Sequence, residues 1–496
     1  MESLRNRENV FGICATGAGK SVCYQSHALM KKGTVLVFSP LIALMKDQVD
    51  QLKERGIRAE RISSDMPQEQ VDEVLQNIGS YKLLYVAPER LKNKEFIKRI
   101  ETAKISLVVL DECHVLSMAS KTYRPSYMLI GPFVSTLNKV PILALTATAD
   151  EEIEREVVRA LKIRYYTRVM GAIHRPNLVF KTTNELTPTQ FWAYFTKEKL
   201  EFPAIVYCVT RKLVEETARH LKVLVADSDY YHAGRPGRER HAVQDAFMRD
   251  ELRLIVSTNA FGMGINKLNI RTIVHKQVPG SLFAYIQEAG RSGRDGRISN
   301  CVLNISQEGL RSRQYLIKSS NPSYPIYENI WEYLSEKVPV GHQRRLSDEE
   351  IRKEVGLTEY QSLWVQSALR FMEYKGCIST SPSTRRYNLT ILDMVKCRQF
   401  CGRFDGIELD DRRAKITIGP GQDDFVDEMV RAGAVAQGEP KNDIIMTRRS
   451  RILTVLEEDV TLKLGKDLHK LEQLQEFAAT HDKKGFIERA FSEGGF

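Results

Sequence analysis

The chain has no apolar run of about 18 residues, the length a membrane-spanning helix requires. Its N-terminus carries no signal-peptide core. Eight cysteines are scattered without the close, even spacing of a disulfide framework, which fits reduced thiols. No internal repeat or low-complexity segment stands out. These absences exclude a secreted disulfide scaffold, a helical membrane protein and a disordered chain, and point to a soluble, intracellular protein. What is present is a hydrophobic fraction of 42%, enough for real cores, over 496 residues, or about three to four domains of ordinary size. A net charge of +10 and a pI near 9.0 suggest a polyanionic partner.

The stretch around which the chain is organised is Cys14-Ala15-Thr16-Gly17-Ala18-Gly19-Lys20-Ser21. A short apolar run, Val10 to Ile13, reads as a buried strand before it, and Val22 to Met30 reads as a helix after it. Strand, glycine-bearing turn, Lys-Ser and helix is the layout of a phosphate-binding loop. Gly17 and Gly19 let the backbone curl so that its N–H groups point inward at phosphate oxygens. The helix that follows aims its positive end at the same place. Thr16 and Ala18 complete the loop. Lys20 supplies a point charge for the outer phosphates, and the Ser21 hydroxyl can sit on Mg²⁺. Cys14 stands where the usual pattern has glycine, so a tight strand-to-helix turn that carries Lys-Ser is the other reading of this stretch alone.

Residues 1–163 alternate strand-like runs (Val10–Ile13, Thr34–Phe38, Lys82–Val86, Leu107–Leu110, Pro141–Leu145) with helical patterns such as Leu41–Arg55 and Glu89–Ile100. That alternation predicts a parallel sheet covered by helices on both faces. Residues 164–312 repeat the theme with Ala204–Cys208, Asp229–Tyr231, Leu252–Ser257, Thr272–His275 and Cys301–Ile305. The fold class expected is therefore α/β, with two tandem parallel-sheet domains and a nucleotide held at their interface, at the carboxyl ends of strands. Ser319 to Pro325 reads as a linker. Three helical patterns follow, Ile326–Lys337, Ser347–Val355 and Thr358–Tyr374, then two strands, Cys377–Ser381 and Arg386–Ile391, joined by Pro382-Ser383-Thr384. This is the outline of a winged-helix-like module over 325–392, with Ser347 and Glu350 as a capping box. Residues 393–496 form a charged, mostly helical tail with patterns at Ser450–Leu464 and Gly465–Ala478.

Two further stretches carry chemistry. Leu107 to Leu110 is an apolar strand that ends in Asp111-Glu112-Cys113-His114. Asp111 at a strand end can hold Mg²⁺ through water, and Glu112 can polarise the water that attacks a γ-phosphate. A solvated acidic strand tip is the plainer reading. The second is Gln287-Glu288-Ala289-Gly290-Arg291-Ser292-Gly293-Arg294-Asp295-Gly296. Its arginines, three apart, can reach phosphates held by the first domain and neutralise charge that develops in a transition state. A basic, glycine-rich turn is the alternative.

Taken with Ser39–Leu52, Tyr85–Leu91, Ala144–Ala149, Tyr231–Gly234 and Ala260–Lys267, these motifs run in one order from residue 10 to about 306. The chain resembles the RecQ family of superfamily 2 DNA helicases, built on two RecA-like domains. The resemblance implies an ATP- and Mg²⁺-dependent motor that moves 3′ to 5′ on single-stranded DNA and separates duplexes, forked ones included, in repair, recombination or replication. It implies a nuclear location in a eukaryote and the cytoplasm or nucleoid otherwise. It implies that Lys20, Asp111, Glu112, Arg291 and Arg294 are catalytic, with Arg294 as the finger and Arg291 also on the γ-phosphate. Gly262, Gly264 and Asn266 would line the cleft, and Thr146 and Thr148 would link hydrolysis to DNA. Ser39, Lys46, Arg90, Tyr123, Arg124, Thr210 and Arg211 would lie along the DNA, positioning a strand without reading its sequence.

Four departures from the family pattern bear on that reading. No glutamine of an adenine-reading segment lies among Met1–Asn9, which suggests truncation or relaxed nucleotide choice. Cys113 replaces an alanine of the same apolar character. In the aromatic-rich loop, Ala119 and Lys121 stand at the tryptophan and histidine positions, which predicts weaker coupling of DNA to hydrolysis. Cys397 and Cys401 resemble the opening of a zinc module, but no cysteine follows them, so a Cys₄ site cannot be completed and no zinc is expected. A DNA-binding protein with a weakened or silent ATPase, and an RNA-stimulated ATPase, are the rival functions.

Overall fold

The structure is a computed structural model. It describes residues 2–15, 17–40, 42–63, 66–118, 125–137, 140–147, 151–171, 175–184, 201–262, 265, 267–338, 343–375, 377–390, 407–410, 413–418, 441–446 and 455–492. Two compact units divide the chain. One comprises Met1–His232, Val243–Gly309 and Lys470–Phe496; the other comprises Ala233–Ala242 and Leu310–His469.

The first unit holds two parallel sheets. One is built from β1 (Val10–Ile13), β2 (Thr34–Phe38), β3 (Ala59–Ile62), β4 (Leu83–Val86), β5 (Ile105–Leu110), β6 (Ile142–Thr146) and β7 (Thr167–Met170), in the order β3-β4-β2-β5-β6-β1-β7. The other is built from β8 (Leu178–Thr183), β9 (Ala204–Tyr207), β10 (Ser228–Tyr231), β11 (Leu254–Ser257), β12 (Thr272–His275) and β13 (Ser299–Asn304), in the order β10-β11-β9-β12-β13-β8. The central strands are buried end to end, as continuous Val/Ile/Leu runs require when both faces are covered. Val35, Val37, Val109 and Leu143 belong to one core of the first sheet, and Val206, Val256, Val274 and Val302 to one core of the second.

Three strands carried no clear pattern in the sequence: β3, β7 and β8. Each is an edge strand with few fully buried residues, so no continuous apolar run marks it. Because β7 pairs with β1, the first sheet extends past residue 163 to Met170. The helix expected over Glu89–Ile100 is two elements, a 3₁₀ turn Pro88–Lys92 and a helix Lys94–Thr102. Asn93 divides them by accepting hydrogen bonds from the N–H groups of Glu95 (2.8 Å) and Phe96 (3.1 Å), an N-cap geometry incompatible with a continuous helix.

The second unit contains helices Tyr324–Lys337, Asp348–Glu354 and Ser362–Tyr374. Ser347 caps the second of these, its Oγ accepting from Glu350 N at 3.1 Å. A five-stranded antiparallel sheet accompanies them: β14 (Gln343–Ser347), β15 (Ile378–Thr390), β16 (Ile407–Asp410), β17 (Arg413–Ile418) and β18 (Lys441–Met446), in the order β14-β18-β15-β17-β16. The two short strands expected at 377–391 are one strand, β15. Its partners are β17 and β18, and no turn folds it back at Pro382. Pro382 falls at a register shift between Ser381 and Arg386, where its missing N–H interrupts no ladder bond. The chain order is helix, β14, helix, helix, β15, and in the sheet β18 is inserted between β14 and β15.

The tail patterns at Ser450–Leu464 and Gly465–Ala478 are one helix, Glu457–Ala479, followed by Lys483–Ser492. Gly465 sits in its interior with open space around it, a cost of only about 1 kcal/mol. From Lys470 onward the tail belongs to the first unit, where Phe477 packs against Phe180 and Tyr285 (ring centroids 5.9 and 5.5 Å apart). Among the described residues, no helix is long and apolar enough to cross a membrane.

Candidate active site

Strand order brings the first sheet's chemistry together. β5, β6 and β1 are neighbours, with Leu110 opposite Ala144 and Thr146 opposite Ile13. Their carboxyl ends therefore deliver Asp111, Thr146 and the loop after Ile13 to one edge. Cys14 N donates to Thr146 O (3.0 Å) and Cys113 N to Leu145 O (2.8 Å), tying the loop and the acidic turn to the same strand.

A cavity of about 280 Å³ opens at this edge. Gly17, Gly19, Lys20, Ser21, Asp111 and Glu112 line it from the first sheet, and Ile265, Gln287, Arg291 and Arg294 from the second. Gly17 and Gly19 have φ of +84° and +80°, the left-handed backbone that lets successive N–H groups face inward. Lys20 Nζ donates to Cys14 O (3.3 Å) and lies 3.9 Å from Glu112 Oε1. Glu112 itself has φ +51°, a conformation a non-glycine residue keeps only when its surroundings impose it. Its N–H donates to Asp111 Oδ1 (3.1 Å), and its Oε2 lies 3.4 Å from His114 Nδ1. Burial foremost, and then the charge of Glu112, push the Asp111 carboxyl well above the usual carboxylate range. A bound cation would reverse that shift. Asp111 and the Ser21 hydroxyl are hard oxygen donors on one cavity wall, the donor chemistry Mg²⁺ takes.

On the opposite wall, Arg291 is 7% exposed and donates through Nη1 to Gly262 O, while its Nε is buried without a hydrogen bond. Gly262 has φ +136°, and a Cβ there would lie 2.7 Å from Arg291 Nε and 2.8 Å from Tyr207 Oη, so the arginine's seat needs a glycine. Arg294 Nη1 donates to Ile265 O (2.9 Å). Burial, followed by the nearby Arg291 and Arg175, lowers Arg294 to about 10, still cationic at neutral pH.

Thr146 is fully buried, and its Oγ1 lies 2.9 Å from His114 Nδ1. The His114 ring meets Phe283 of the second sheet's domain edge-on, centroids 5.7 Å apart. His114, Gln48, Gln287 and Arg175 all border the site without having been singled out from the sequence. His114, Gln48 and Gln287 stood inside the quoted motifs; Arg175 carries no local signal.

Other expected positions fall differently. Ser39 is 2% exposed with its hydroxyl enclosed, at the end of buried β2. The Thr210 hydroxyl accepts from Leu213 N (3.3 Å) as a helix cap. Arg90 donates to Ser63 O. Lys46 and Arg211 are exposed. Thr16, Tyr123, Arg124, Thr148, Gly264, Asn266, Ala119, Lys121, Cys397 and Cys401 lie outside the described residues.

The DEAD/DEAH box helicase family matches residues 1–156, and the helicase conserved C-terminal domain matches residues 189–296. The chain is 41% identical over 317 residues to the ATP-dependent DNA helicase RecQ of Bacillus subtilis, covering 63% of this chain and 54% of that protein. It is 34% identical over 363 residues to the probable ATP-dependent DNA helicase RecS of the same organism, covering 72% of this chain and 73% of that protein. It thus spans about half the length of the first of these relatives and nearly three-quarters of the second. Among solved structures, the Mycobacterium smegmatis helicase Lhr bound to ssDNA and AMP-PNP superposes with a TM-score of 0.51 at 18% identity, over 75% of this chain and 54% of that one, a likeness of fold alone.

Proposed function

The chain belongs to the RecQ family of superfamily 2 DNA helicases, and from that premise we propose that it hydrolyses ATP to move 3′ to 5′ along single-stranded DNA and to separate duplexes. The observation that carries the reading is the single cavity in which a phosphate loop and two carboxylates from one sheet face two arginines from another. The loop amides and Lys20 hold the outer phosphates. Ser21 and Asp111 would hold Mg²⁺, which supplies charge neutralisation between those phosphates. Glu112 accepts a proton from, and orients, the attacking water. Arg294, with Arg291 beside it, neutralises charge that accumulates on the transferred phosphoryl group.

Because the arginines and the loop come from different sheets, the catalytic set is complete only when the two domains are closed. Hydrolysis and release reopen them. Thr146 and His114 link the carboxylate to Phe283 of the second domain, a route by which DNA contact is felt at the water-orienting residue. Repair, recombination or fork maintenance is the setting such a motor suits, with single-stranded, forked or duplex DNA as its partner, in the nucleus of a eukaryote or otherwise the cytoplasm or nucleoid.

The deciding experiment is ATP hydrolysis without nucleic acid, with single-stranded DNA and with single-stranded RNA, on the wild type and on Lys20→Ala. DNA stimulation that disappears in Lys20→Ala supports the motor. Stimulation by RNA alone identifies an RNA-dependent ATPase. A rate equal to Lys20→Ala with DNA binding intact identifies a silent motor.

A further inference from the structure

We propose that Arg175 is a positioning residue for phosphoryl transfer, its guanidinium fixing the Gly290–Gly293 turn so that Arg291 and Arg294 are held toward the phosphate loop. The inference rests on the reading of the cavity as an ATP-hydrolysing site.

Arg175 lies between β7 and β8, where the chain passes from the first sheet to the second. Its Nη1 donates to Gly290 O and Ser292 O, both at 2.9 Å, and its Nη2 donates to Gly293 O. Asn177 Nδ2 adds bonds to Gly293 O (2.8 Å) and Arg297 O (2.9 Å). Three carbonyls within four residues thus converge on one cation. They follow directly on the helix Leu282–Ala289, whose carboxyl end already concentrates negative potential. Without the guanidinium these oxygens would repel one another and seek water, and the turn would open. Gly293, at φ +55°, turns the backbone so that its carbonyl joins the others.

The same turn aims both arginines. Arg291 leads to Gly262 and Arg294 to Ile265, so a shift of the turn displaces both from the cavity wall. A Cβ on Gly17 would lie 4.0 Å from Arg175 Nη1, which shows how close the clamp stands to the phosphate loop. Nη1 nevertheless spends its bonds on two carbonyls, which makes Arg175 a fastener of the turn and not a ligand of the nucleotide. A lysine could offer a point charge but not the planar fork that spans three carbonyls.

The test uses the full chain as wild type, Arg175→Ala, Arg175→Lys and Lys20→Ala. It reads kcat and KM for ATP with single-stranded DNA, together with amide hydrogen exchange of the 290–297 peptide. In Arg175→Ala, kcat is expected to fall about 10- to 100-fold, the effect of a roughly 1 Å misplacement, with KM nearly unchanged. Exchange in 290–297 rises about tenfold while that of the phosphate loop stays put. Arg175→Lys, which keeps the charge and guards against simple misfolding, is expected to recover only part of kcat. An unchanged kcat, a rise in KM alone, full recovery by lysine, or unaltered exchange of the turn would each overturn the proposal. If the wild type is no faster than Lys20→Ala, the ATPase reading itself fails, and the exchange comparison still decides whether Arg175 holds the turn.

Discussion

Gly17 of the phosphate loop faces Arg294 of the arginine turn: a Cβ placed on Gly17 would lie 3.5 Å from Arg294 Cγ. One residue belongs to the first parallel sheet's domain and the other to the second's, some 277 positions apart in sequence. The loop proposed to hold phosphates and the arginine proposed to stabilise their transfer are therefore near neighbours, with room for about one methyl group between them.

The space beside Gly17 admits a methyl group, but its φ of +84° makes alanine unfavourable there. Gly17→Ala should lower stability by about 1 kcal/mol through backbone strain. It should lower ATP turnover by about tenfold or more, because relief of that strain shifts the loop amides from their inward-facing positions. Thermal melting and steady-state hydrolysis measure the two effects separately; full turnover in the variant would contradict the need for a left-handed backbone at Gly17.

Arg294 and Arg291 are expected to behave unequally. Arg294→Ala should reduce kcat by about 10³-fold or more while nucleotide binding persists, the scale of an arginine finger. Arg291, whose Nη1 is bonded to Gly262 O, has a structural duty as well, so Arg291→Ala should also loosen the seat at Gly262 and lower the melting temperature. Single-turnover kinetics with a fluorescent nucleotide and a melting curve distinguish the two patterns.

Thr146→Val keeps the shape of a fully buried side chain but deletes the 2.9 Å bond to His114. Basal hydrolysis should change little, whereas stimulation by single-stranded DNA should drop about 5- to 50-fold, within the usual range of coupling between sites. Equal losses with and without DNA would place Thr146 in the chemistry itself.

Gly131 offers a test of the fold apart from the site. A Cβ there would lie 1.9 Å from the Ala160 carbonyl oxygen, because the helices Ile130–Thr136 and Glu151–Ala160 meet backbone to backbone. Gly131→Ala should cost about 2 kcal/mol or more and lower the melting midpoint by about 4 °C or more. A variant as stable as the wild type would show that the helices do not approach so closely.

In the second unit, hydrogen bonds from Arg352 and then Lys353 hold the Glu349 carboxyl at about 2, below its ordinary 4.5. Arg352 Nε and Nη2 each donate to Glu349 at 2.6 Å, and Nη1 donates to Leu357 O at 2.5 Å. A carboxylate depressed on folding adds stability above its unfolded value and loses it as pH falls through the folded one. The difference in denaturation midpoint between wild type and Glu349→Gln should therefore be full at pH 7 and shrink as pH falls from 4.5 toward 2. A difference that stays constant across that window would rule out the pair as its source.

The sequence alone determined what local pattern can determine. The β1, β2, β9 and β12 runs are short, apolar and bounded by turn residues, and the phosphate loop, the Asp111-Glu112 strand end and the arginine turn each carry their chemistry within ten residues. Edge strands β3, β7 and β8 were less legible, since an edge presents no continuous apolar run. Nor was β18 legible, because it pairs with β15 across some fifty residues and no local period announces a distant partner. The adjacency of Asp111, Thr146 and Cys14 follows from strand order, which is a property of the folded sheet. The same holds for the clamp of Arg175 on the Gly290–Gly293 turn: a lone arginine has no signature until folding brings three carbonyls to it. Local residue order thus specifies which groups can act, and the packing of two sheets decides which of them meet.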